Sequence, residues 1–268
     1  MSAPNADSTT GQQPITLPRM PSFRLDGKQA LVTGGGRGLG LASAVALAGA
    51  GAHVTLMARS ASELEQACEA LRHQGASCDF IAMDVTDAPA VRREVAARGP
   101  FHVLVNSAGT NLPRLLVDAS DDDIDTLLEL NVKASMVVAR EVARGLVAAE
   151  LGGSIINISS QMGHVCSPRR TLYCATKHAI EGFTKALAWE LGPHGIRVNT
   201  LCQTFTETAL TAPMFEDTAF AQWVTERIAL QRIGRPEEVM GAVVFLASEA
   251  SSLTTGSALM VDGGWTAA

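Results

Sequence analysis

Short apolar runs alternate with longer segments of helical period along the chain from residue 29 onward. Neighbouring parallel strands require crossover connections, which are usually helices, so the alternation favours a parallel sheet with helices on both faces. The runs are continuously apolar, as strands are when both faces of a sheet are covered. We therefore predict one α/β domain built on a doubly wound parallel sheet of about seven strands. The predicted strands are QALVT (29–33), HVTLM (53–57), DFIAM (79–83), HVLVN (102–106), SIINI (154–158), RVNTL (197–201) and ALMV (258–261), and the clearest helical segments are 40–51, 62–75, 122–150 and 177–192.

Composition and charge limit the classes of protein to which the chain can belong. With 268 residues, 47% of them apolar, the chain can bury the core of one domain, which we expect to span residues 23–268. Residues 1–22 are rich in Ser, Thr, Pro, Gln and Asn and are expected to form a disordered tail. A net charge of −6 with scattered basic residues argues against a nucleic-acid partner. No apolar run approaches the ~18 residues of a membrane span, so we expect no membrane association.

The cysteines form neither a disulfide framework nor a metal-binding pattern. There are five, an odd number, with no CxxC pair and no histidine at ligand spacing. This is typical of reduced thiols packed as small apolar groups, so we predict a cytoplasmic protein with no metal site. The cysteines are Cys68, Cys78, Cys166, Cys174 and Cys202.

A glycine-rich turn, TGGGRGLG (33–40), follows the first predicted strand and precedes a helical segment. In this arrangement, backbone N–H groups and the helix N-terminus can bind a pyrophosphate, and glycines permit its close approach. An ordinary flexible turn is the alternative. The spacing is neither GxGxxG nor that of a P-loop, but its position favours a Rossmann-like dinucleotide site. The predicted contacts here are Thr33, Gly34, Arg37, Gly38, Leu39 and Gly40.

The second predicted strand gives the expected cofactor preference. It ends in TLMARS, with Arg59 near the place where an acidic residue would bind the adenosine ribose of NAD. Arg37 in the glycine turn adds a second cation, and two guanidinium groups favour a 2′-phosphate by charge and by bidentate geometry. We therefore predict NADP(H) as the preferred cofactor, with NAD(H) as the second choice. A solvated loop arginine is the alternative for Arg59.

The only tyrosine of the chain, Tyr173, stands four positions before Lys177 in the segment YCATK. On a helix, the two side chains share one face, so their polar ends can meet. A half-buried tyrosine beside an extended lysine is a common structural arrangement. However, the preceding strand runs directly into Ser159 and Ser160, at the edge where ligands bind in such sheets. Hydride transfer to a carbonyl needs a proton donor, and an ammonium one turn away favours a reactive phenol.

The order of these motifs resembles the short-chain dehydrogenase/reductase family, standard one-domain type, over about residues 25–264. Further segments carry the resemblance, namely NSAG (106–109), LELNVKAS (128–135), IRVN (196–199) and VDGG (261–264). It implies alcohol–carbonyl interconversion with Tyr173 as general acid/base. It also implies that Lys177 lowers the pKa of Tyr173 and holds the nicotinamide ribose, that Ser160 binds the substrate oxygen, and that Asn131 anchors a proton-relay water. A homotetramer is the assembly the family resemblance implies.

Further cofactor contacts follow from the same resemblance. Asp84 and Val85 are expected near the adenine, and Thr208 near the carboxamide. The floor of the site is expected to include Asn106, Ala108 and Gly109. The chain departs from the family pattern after IRVN, where Gln203 and Thr204 replace the usual Pro-Gly.

Polar residues after the fourth and fifth strands suggest the substrate class. Asn111, Ser160, Gln161 and His164 could bind hydroxyls or a carboxylate. We therefore expect a small hydroxylated substrate, such as a sugar, a polyol or a sugar acid. A 3-oxoacyl thioester reductase and a non-enzymatic NADP sensor are the alternatives, since a fold does not fix a function.

Overall fold

Seven strands form the sheet in the computed structural model, which describes residues 16–267. They are β1 (Gln29–Thr33), β2 (His53–Ala58), β3 (Cys78–Ala82), β4 (Val103–Asn106), β5 (Gly153–Ile158), β6 (Ile196–Gln203) and β7 (Ala258–Val261). All neighbours pair in parallel, in the order β3-β2-β1-β4-β5-β6-β7. The direction of strand addition reverses between β1 and β4, which places the ligand crevice of such a sheet at their carboxyl ends.

Helices cover both faces of the sheet and complete two apolar layers. In chain order, the helices are α1 (Gly38–Gly49), α2 (Ala61–His73), α3 (Ala88–Arg98), α4 (Asp121–Leu128), α5 (Ser135–Ala148), α6 (Thr171–Leu191), α7 (Thr218–Thr225) and α8 (Met240–Ala247). Helices α1, α2 and α8 pack on one face, and α3, α5 and α6 pack on the other.

Several helices begin at residues whose side chains cap the first turn. Ser60 accepts a hydrogen bond from the Glu63 backbone N–H at 3.3 Å at the start of α2. Ser120 and Asp123 form a capping box at the start of α4. These side chains satisfy N–H groups that have no partner inside a helix, so the local sequence determines where these helices begin.

The predictions of the fold class and of the strands are confirmed, with one refinement in a helix. Each predicted strand is present within two residues of its expected ends. The helix predicted over 122–150 is divided into α4, a π-helical turn over Glu129–Ala134 and α5. Of the predicted tail, residues 1–15 lie outside the described residues, and residues 16–22 are exposed and have no helix or strand.

The cysteines differ from the prediction at one place. Cys68 on α2 and Cys78 on β3 are joined in a disulfide, with Cα atoms 5.5 Å apart. The expectation of reduced thiols is therefore wrong for this pair. The short α2–β3 connection brings together two residues that are 10 positions apart, which the CxxC spacing rule does not detect. The other three, Cys166, Cys174 and Cys202, are free.

No helix within residues 16–267 has the length and apolar character that a membrane crossing requires.

Candidate active site

A cleft of about 910 Å³ opens at the carboxyl ends of β1, β4, β5 and β6. It extends from the glycine-rich turn to Ser160, Tyr173 and Lys177, so it contains both groups of motifs found in the sequence. The predicted cofactor residues that line it are Gly34, Arg37, Gly38, Leu39, Gly40, Arg59, Asp84, Val85, Ala108, Gly109, Tyr173, Lys177 and Thr208.

The glycine-rich turn has the backbone conformation that a phosphate-binding loop needs. Gly34 and Gly38 have φ angles of 66° and 56°, a region that favours glycine. A Cβ on Gly34 would lie 3.0 Å from the backbone nitrogen of Ala108, so glycine allows the two loops to touch. Helix α1 then starts at Gly38, and within the described chain its N-cap residue, Arg37, makes no side-chain capping bond. The first N–H groups of α1 thus remain available for an anion.

Thr33 and Asn106 lie behind the cleft lining, which corrects the prediction that they contact a cofactor directly. The Thr33 hydroxyl accepts hydrogen bonds from the backbone N–H groups of Ser107 and Ala108, both at 3.1 Å. The Asn106 amide donates to the Asn157 side chain at 3.0 Å and to the Ser135 carbonyl at 3.1 Å. Both residues are buried at strand ends, so they fix the loops that form the lining.

Two arginines and one unexpected carboxylate surround the far end of the cleft. Arg59 and Arg37 both line it, and Arg37 pairs with Glu63 at 3.8 Å. The Arg37 side chain is 72% exposed, so this ion pair is weak and the guanidinium can turn to another anion. Asp84 lies nearby, and hydrogen bonds from Thr86 hold the pKa of this carboxyl below its usual range despite burial. The sequence reading missed Glu63, because only the fold brings α2 against the glycine-rich turn.

Ser160, Tyr173 and Lys177 meet at the other end of the cleft. The Lys177 ammonium donates to the Ile158 carbonyl at 2.8 Å and lies 5.5 Å from the centroid of the Tyr173 ring. The Ser160 hydroxyl donates to the Gln161 side chain at 2.6 Å and accepts from the Met162 N–H at 3.1 Å. The bonds from β5 and its following turn fix the positions of Ser160 and Lys177.

Burial controls the pKa values of this group. It raises the pKa of Tyr173 to about 12, and the Ser160 hydroxyl opposes this shift. It lowers the pKa of Lys177 to about 8, and the nearby Cys202 and Glu181 oppose that shift. In this arrangement the effect of burial on Tyr173 is larger than that of the nearby Lys177 ammonium. The pKa of Tyr173 is therefore raised rather than lowered as expected, and the phenol is protonated at neutral pH.

Asn131 lies in the π-helical turn between α4 and α5 and is 2% exposed. Its side-chain oxygen accepts from the Thr110 N–H at 2.9 Å, and its amide donates to the Thr110 carbonyl at 2.9 Å. The amide also lies 3.3 Å from the Thr176 hydroxyl on α6. Such turns are frequent at functional sites. Here the turn joins the β4 loop to the helix of Tyr173.

Three residues of the cleft lining have a side-chain oxygen without a hydrogen-bond partner in the described part of the chain. Asn111, Gln203 and Thr204 line the cleft, and each has a buried side-chain oxygen that forms no hydrogen bond with the described part of the chain. Ser160 and Gln161 also line the cleft, as predicted. His164 does not, which corrects its expected substrate contact. Its ring turns behind the cleft toward Glu181 and Cys202.

The comparisons with known proteins agree with this geometry. A family model described as enoyl-(acyl carrier protein) reductase matches residues 34–266. D-Erythrulose reductase of Gallus gallus is 36% identical over 245 residues, which cover 91% of this chain and 98% of the relative. The chain belongs to the short-chain dehydrogenase/reductase family. It is accordingly an oxidoreductase of alcohol and carbonyl groups.

Two further members of the family are similar over nearly their whole length. Gluconate 5-dehydrogenase of Gluconobacter oxydans (strain 621H) is 39% identical over 248 residues, which cover 91% of this chain and 96% of the relative. The solved structure of a gluconate 5-dehydrogenase from Burkholderia cenocepacia J2315, in complex with NADP and tartrate, is 37% identical with a TM-score of 0.89. The match covers 93% of this chain and 99% of that one.

Proposed function

We propose that this chain is an NADP(H)-dependent reductase that interconverts a carbonyl and an alcohol in a small hydroxylated substrate, such as a sugar, a polyol or a sugar acid. The observation that carries this proposal is the single cleft that joins a phosphate-binding turn and two arginines to Ser160, Tyr173 and Lys177. The length of the cleft separates the two functions, with nucleotide binding at one end and proton transfer at the other.

The chain has the residues to hold NADP(H). The uncapped N-terminus of α1 suits the pyrophosphate, and the close contact of Gly34 with Ala108 keeps the loop near it. Arg59 and Arg37 suit a 2′-phosphate, and Asp84 and Val85 line the adenine side. The similar gluconate 5-dehydrogenase from Burkholderia cenocepacia binds NADP in its solved structure, which supports the same choice here.

The bound nicotinamide supplies or accepts the hydride. The chain's residues handle the proton and the substrate oxygen. Ser160 binds that oxygen, and Tyr173 donates its proton to it as the alcohol forms. A phenol that is protonated at neutral pH suits this direction. Lys177, with a pKa of about 8, can hold or release a proton near neutral pH, so it can return one toward Tyr173. Asn131 positions the Thr110 loop and α6 around this group.

The polar lining supports a hydroxylated substrate. Asn111, Gln203 and Thr204 line the cleft, and each has a buried side-chain oxygen without a hydrogen bond in the described part of the chain, at a cost of roughly 1–3 kcal/mol per oxygen. If these side chains rotate toward the cleft, substrate hydroxyl groups can donate to their oxygens, whereas a simple ketone has no donor to offer. The two relatives compared above are a reductase of erythrulose and a dehydrogenase of gluconate, which are compounds of this class.

The test is a substrate panel with NADPH and NADH, in which ketoses and keto sugar acids are compared with matched aliphatic ketones. We expect NADPH-dependent turnover that is at least about tenfold more efficient with the hydroxylated members, since each recovered hydrogen bond contributes about 1 kcal/mol. Equal efficiency with simple ketones would refute the substrate class. Preference for an acyl thioester would favour the thioester reductase alternative, and cofactor binding without any turnover would favour the sensor.

We also propose a homotetramer. Leu128 on α4 and Trp189 on α6 are 47% and 87% exposed, so helices near the active site present apolar side chains outward. A second copy of the chain would cover them. Sedimentation velocity should give a tetramer, and a monomer mass at all concentrations would overturn the proposal.

The cytoplasmic location stays a prediction, because the Cys68–Cys78 disulfide weakens the cysteine pattern on which it was based.

A further inference from the structure

Three side chains that the proposed reaction does not use meet behind the cleft. His164 follows β5, Glu181 lies on α6 and Cys202 lies on β6. Their ligand atoms all fall within 4.8 Å of one another. The residues are 17 and 21 positions apart, so no local spacing in the sequence reveals the group. We propose that His164, Glu181 and Cys202 form a binding site for one Zn²⁺ ion, with a fourth position open to solvent.

The distances match a tetrahedral zinc site. Zinc binds sulfur at about 2.3 Å and nitrogen or oxygen at about 2.0 Å, so the ligand atoms should be about 3.5 Å apart for pairs that include sulfur and about 3.3 Å apart for N and O. The observed separations are 3.5 Å for His164 Nε2 and Cys202 Sγ, 3.4 Å for His164 Nε2 and Glu181 Oε1, and 3.2 Å for Cys202 Sγ and Glu181 Oε1. Each lies within about 0.3 Å of the edge expected for that pair.

One contact of the group, between His164 and Glu181, is long for a hydrogen bond. The His164–Glu181 separation of 3.4 Å exceeds the ordinary 2.7–3.2 Å range of N–H···O bonds. Glu181 is 6% exposed, and His164 is its ion-pair partner within residues 16–267. A buried carboxylate needs a compensating charge. The Lys177 ammonium, whose pKa Glu181 raises, supplies part of that charge, and a divalent cation bound to the carboxylate would supply more.

Ser159 gives an independent indication of a missing ligand. Its side chain is fully buried, and its hydroxyl makes no hydrogen bond of ordinary geometry in the described chain, although it lies near enough to Cys202 to lower the pKa of that thiol. A Cβ added to Gly163 would lie 3.0 Å from this hydroxyl and 3.1 Å from Glu181 Cγ, so Ser159 and Glu181 flank the same small space. The hydroxyl can bind the cation or its water. Gly163 keeps that space free of a side chain.

An outer-sphere contact and a solvent path complete the site. The Thr200 hydroxyl donates to the second oxygen of Glu181 at 2.9 Å, which orients the carboxylate as outer-sphere partners do in metal sites. The His164 side chain is 30% exposed, so an ion can reach the site from solvent. On binding, the Cys202 S–H bond breaks, the sulfur binds the metal as a thiolate, and the proton leaves to solvent.

The test is a Co²⁺ titration of the full chain, followed by absorbance, because thiolate-bound tetrahedral cobalt gives a charge-transfer band in the near ultraviolet. We expect one Co²⁺ per chain, displacement by Zn²⁺ and release of one proton per ion. C202S should lose the band. C166S removes the exposed free cysteine two residues from His164 and is the matched control, which should keep the band.

Two milder variants cover the case in which C202S does not fold. Thr200→Val should weaken Co²⁺ binding by the roughly 10–100-fold typical of outer-sphere partners, and His164→Asn should weaken it by more. Absence of the band in wild type at saturating Co²⁺ would overturn the proposal, as would a band that survives in C202S and disappears in C166S. Affinity unchanged in His164→Asn would also overturn it. None of these readouts uses turnover, so the result is independent of the proposed function.

Discussion

Replacing Lys177 by methionine should stabilise the fold at neutral pH while it abolishes turnover. Lys177 is 7% exposed, and burial lowers the pKa of its ammonium from 10.5 to about 8. That difference in pKa corresponds to about 3 kcal/mol. When the lysine is charged in both the folded and the unfolded state, its burial lowers the free energy of unfolding by this amount. Methionine has a similar length and no charge. It loses the hydrogen bond to Ile158, which contributes about 1 kcal/mol. The net gain expected below pH 8 is therefore about 2 kcal/mol.

The stability difference between wild type and Lys177→Met should depend on pH, because the pKa of Lys177 differs between the folded and unfolded states. Below pH 8 the lysine is protonated in both states, so the penalty in wild type is complete. Between pH 8 and 10.5 the folded state has lost the proton while the unfolded state keeps it, so wild-type stability rises with pH. The advantage of Lys177→Met should thus decrease across that window and be about 2 kcal/mol smaller at pH 9.5 than at pH 7.

Urea unfolding at one protein concentration, followed by circular dichroism at both pH values, measures the effect. The exposed Lys185 on the same helix offers a matched control, and Lys185→Met should change stability by less than about 0.5 kcal/mol at either pH. A Lys177→Met variant that is less stable than wild type at pH 7, or a difference that does not vary with pH, would refute the reasoning.

Two other substitutions test the cofactor end and the connecting turn. Arg59→Ala should weaken NADPH binding by about 10- to 100-fold, as expected for one charge-assisted contact, and leave NADH binding unchanged. Equal losses for both cofactors, measured by fluorescence titration, would contradict a 2′-phosphate contact. Asn131→Ala should cost about 2–4 kcal/mol in urea unfolding, because it leaves the buried N–H and carbonyl groups of Thr110 without partners. A loss below about 1 kcal/mol would show that this turn does not depend on the side chain.

The strands and the glycine-rich turn could be predicted from the sequence because local patterns determine them. Continuous apolar runs mark buried parallel strands, and residues such as Ser60 fix helix starts by local hydrogen bonds. The π-helical turn could not be predicted, since it depends on the bonds of Asn131 to Thr110, 21 positions away. The Cys68–Cys78 disulfide depends in the same way on how α2 packs beside β3.

The positions of the site residues could be predicted where those residues follow strand ends. The directions of their side chains could not be predicted as well. Ser160, Tyr173 and Lys177 meet in the cleft because β5 and α6 end and begin beside it. His164 is only four residues beyond Ser160, yet its ring points behind the cleft. Glu63 reaches Arg37 from a separate helix. Those outcomes depend on the packing of distant elements, which periodicity and spacing do not encode.

The most direct test of the central claim compares wild type with Tyr173→Phe in NADPH oxidation, using a ketose or keto sugar acid as substrate and measuring NADPH affinity in parallel. The account predicts turnover in wild type, a loss of about 100-fold or more in the variant, and closely similar NADPH affinity in the two proteins, because phenylalanine keeps the ring and removes only the proton donor. Turnover that persists unchanged in Tyr173→Phe would contradict the account.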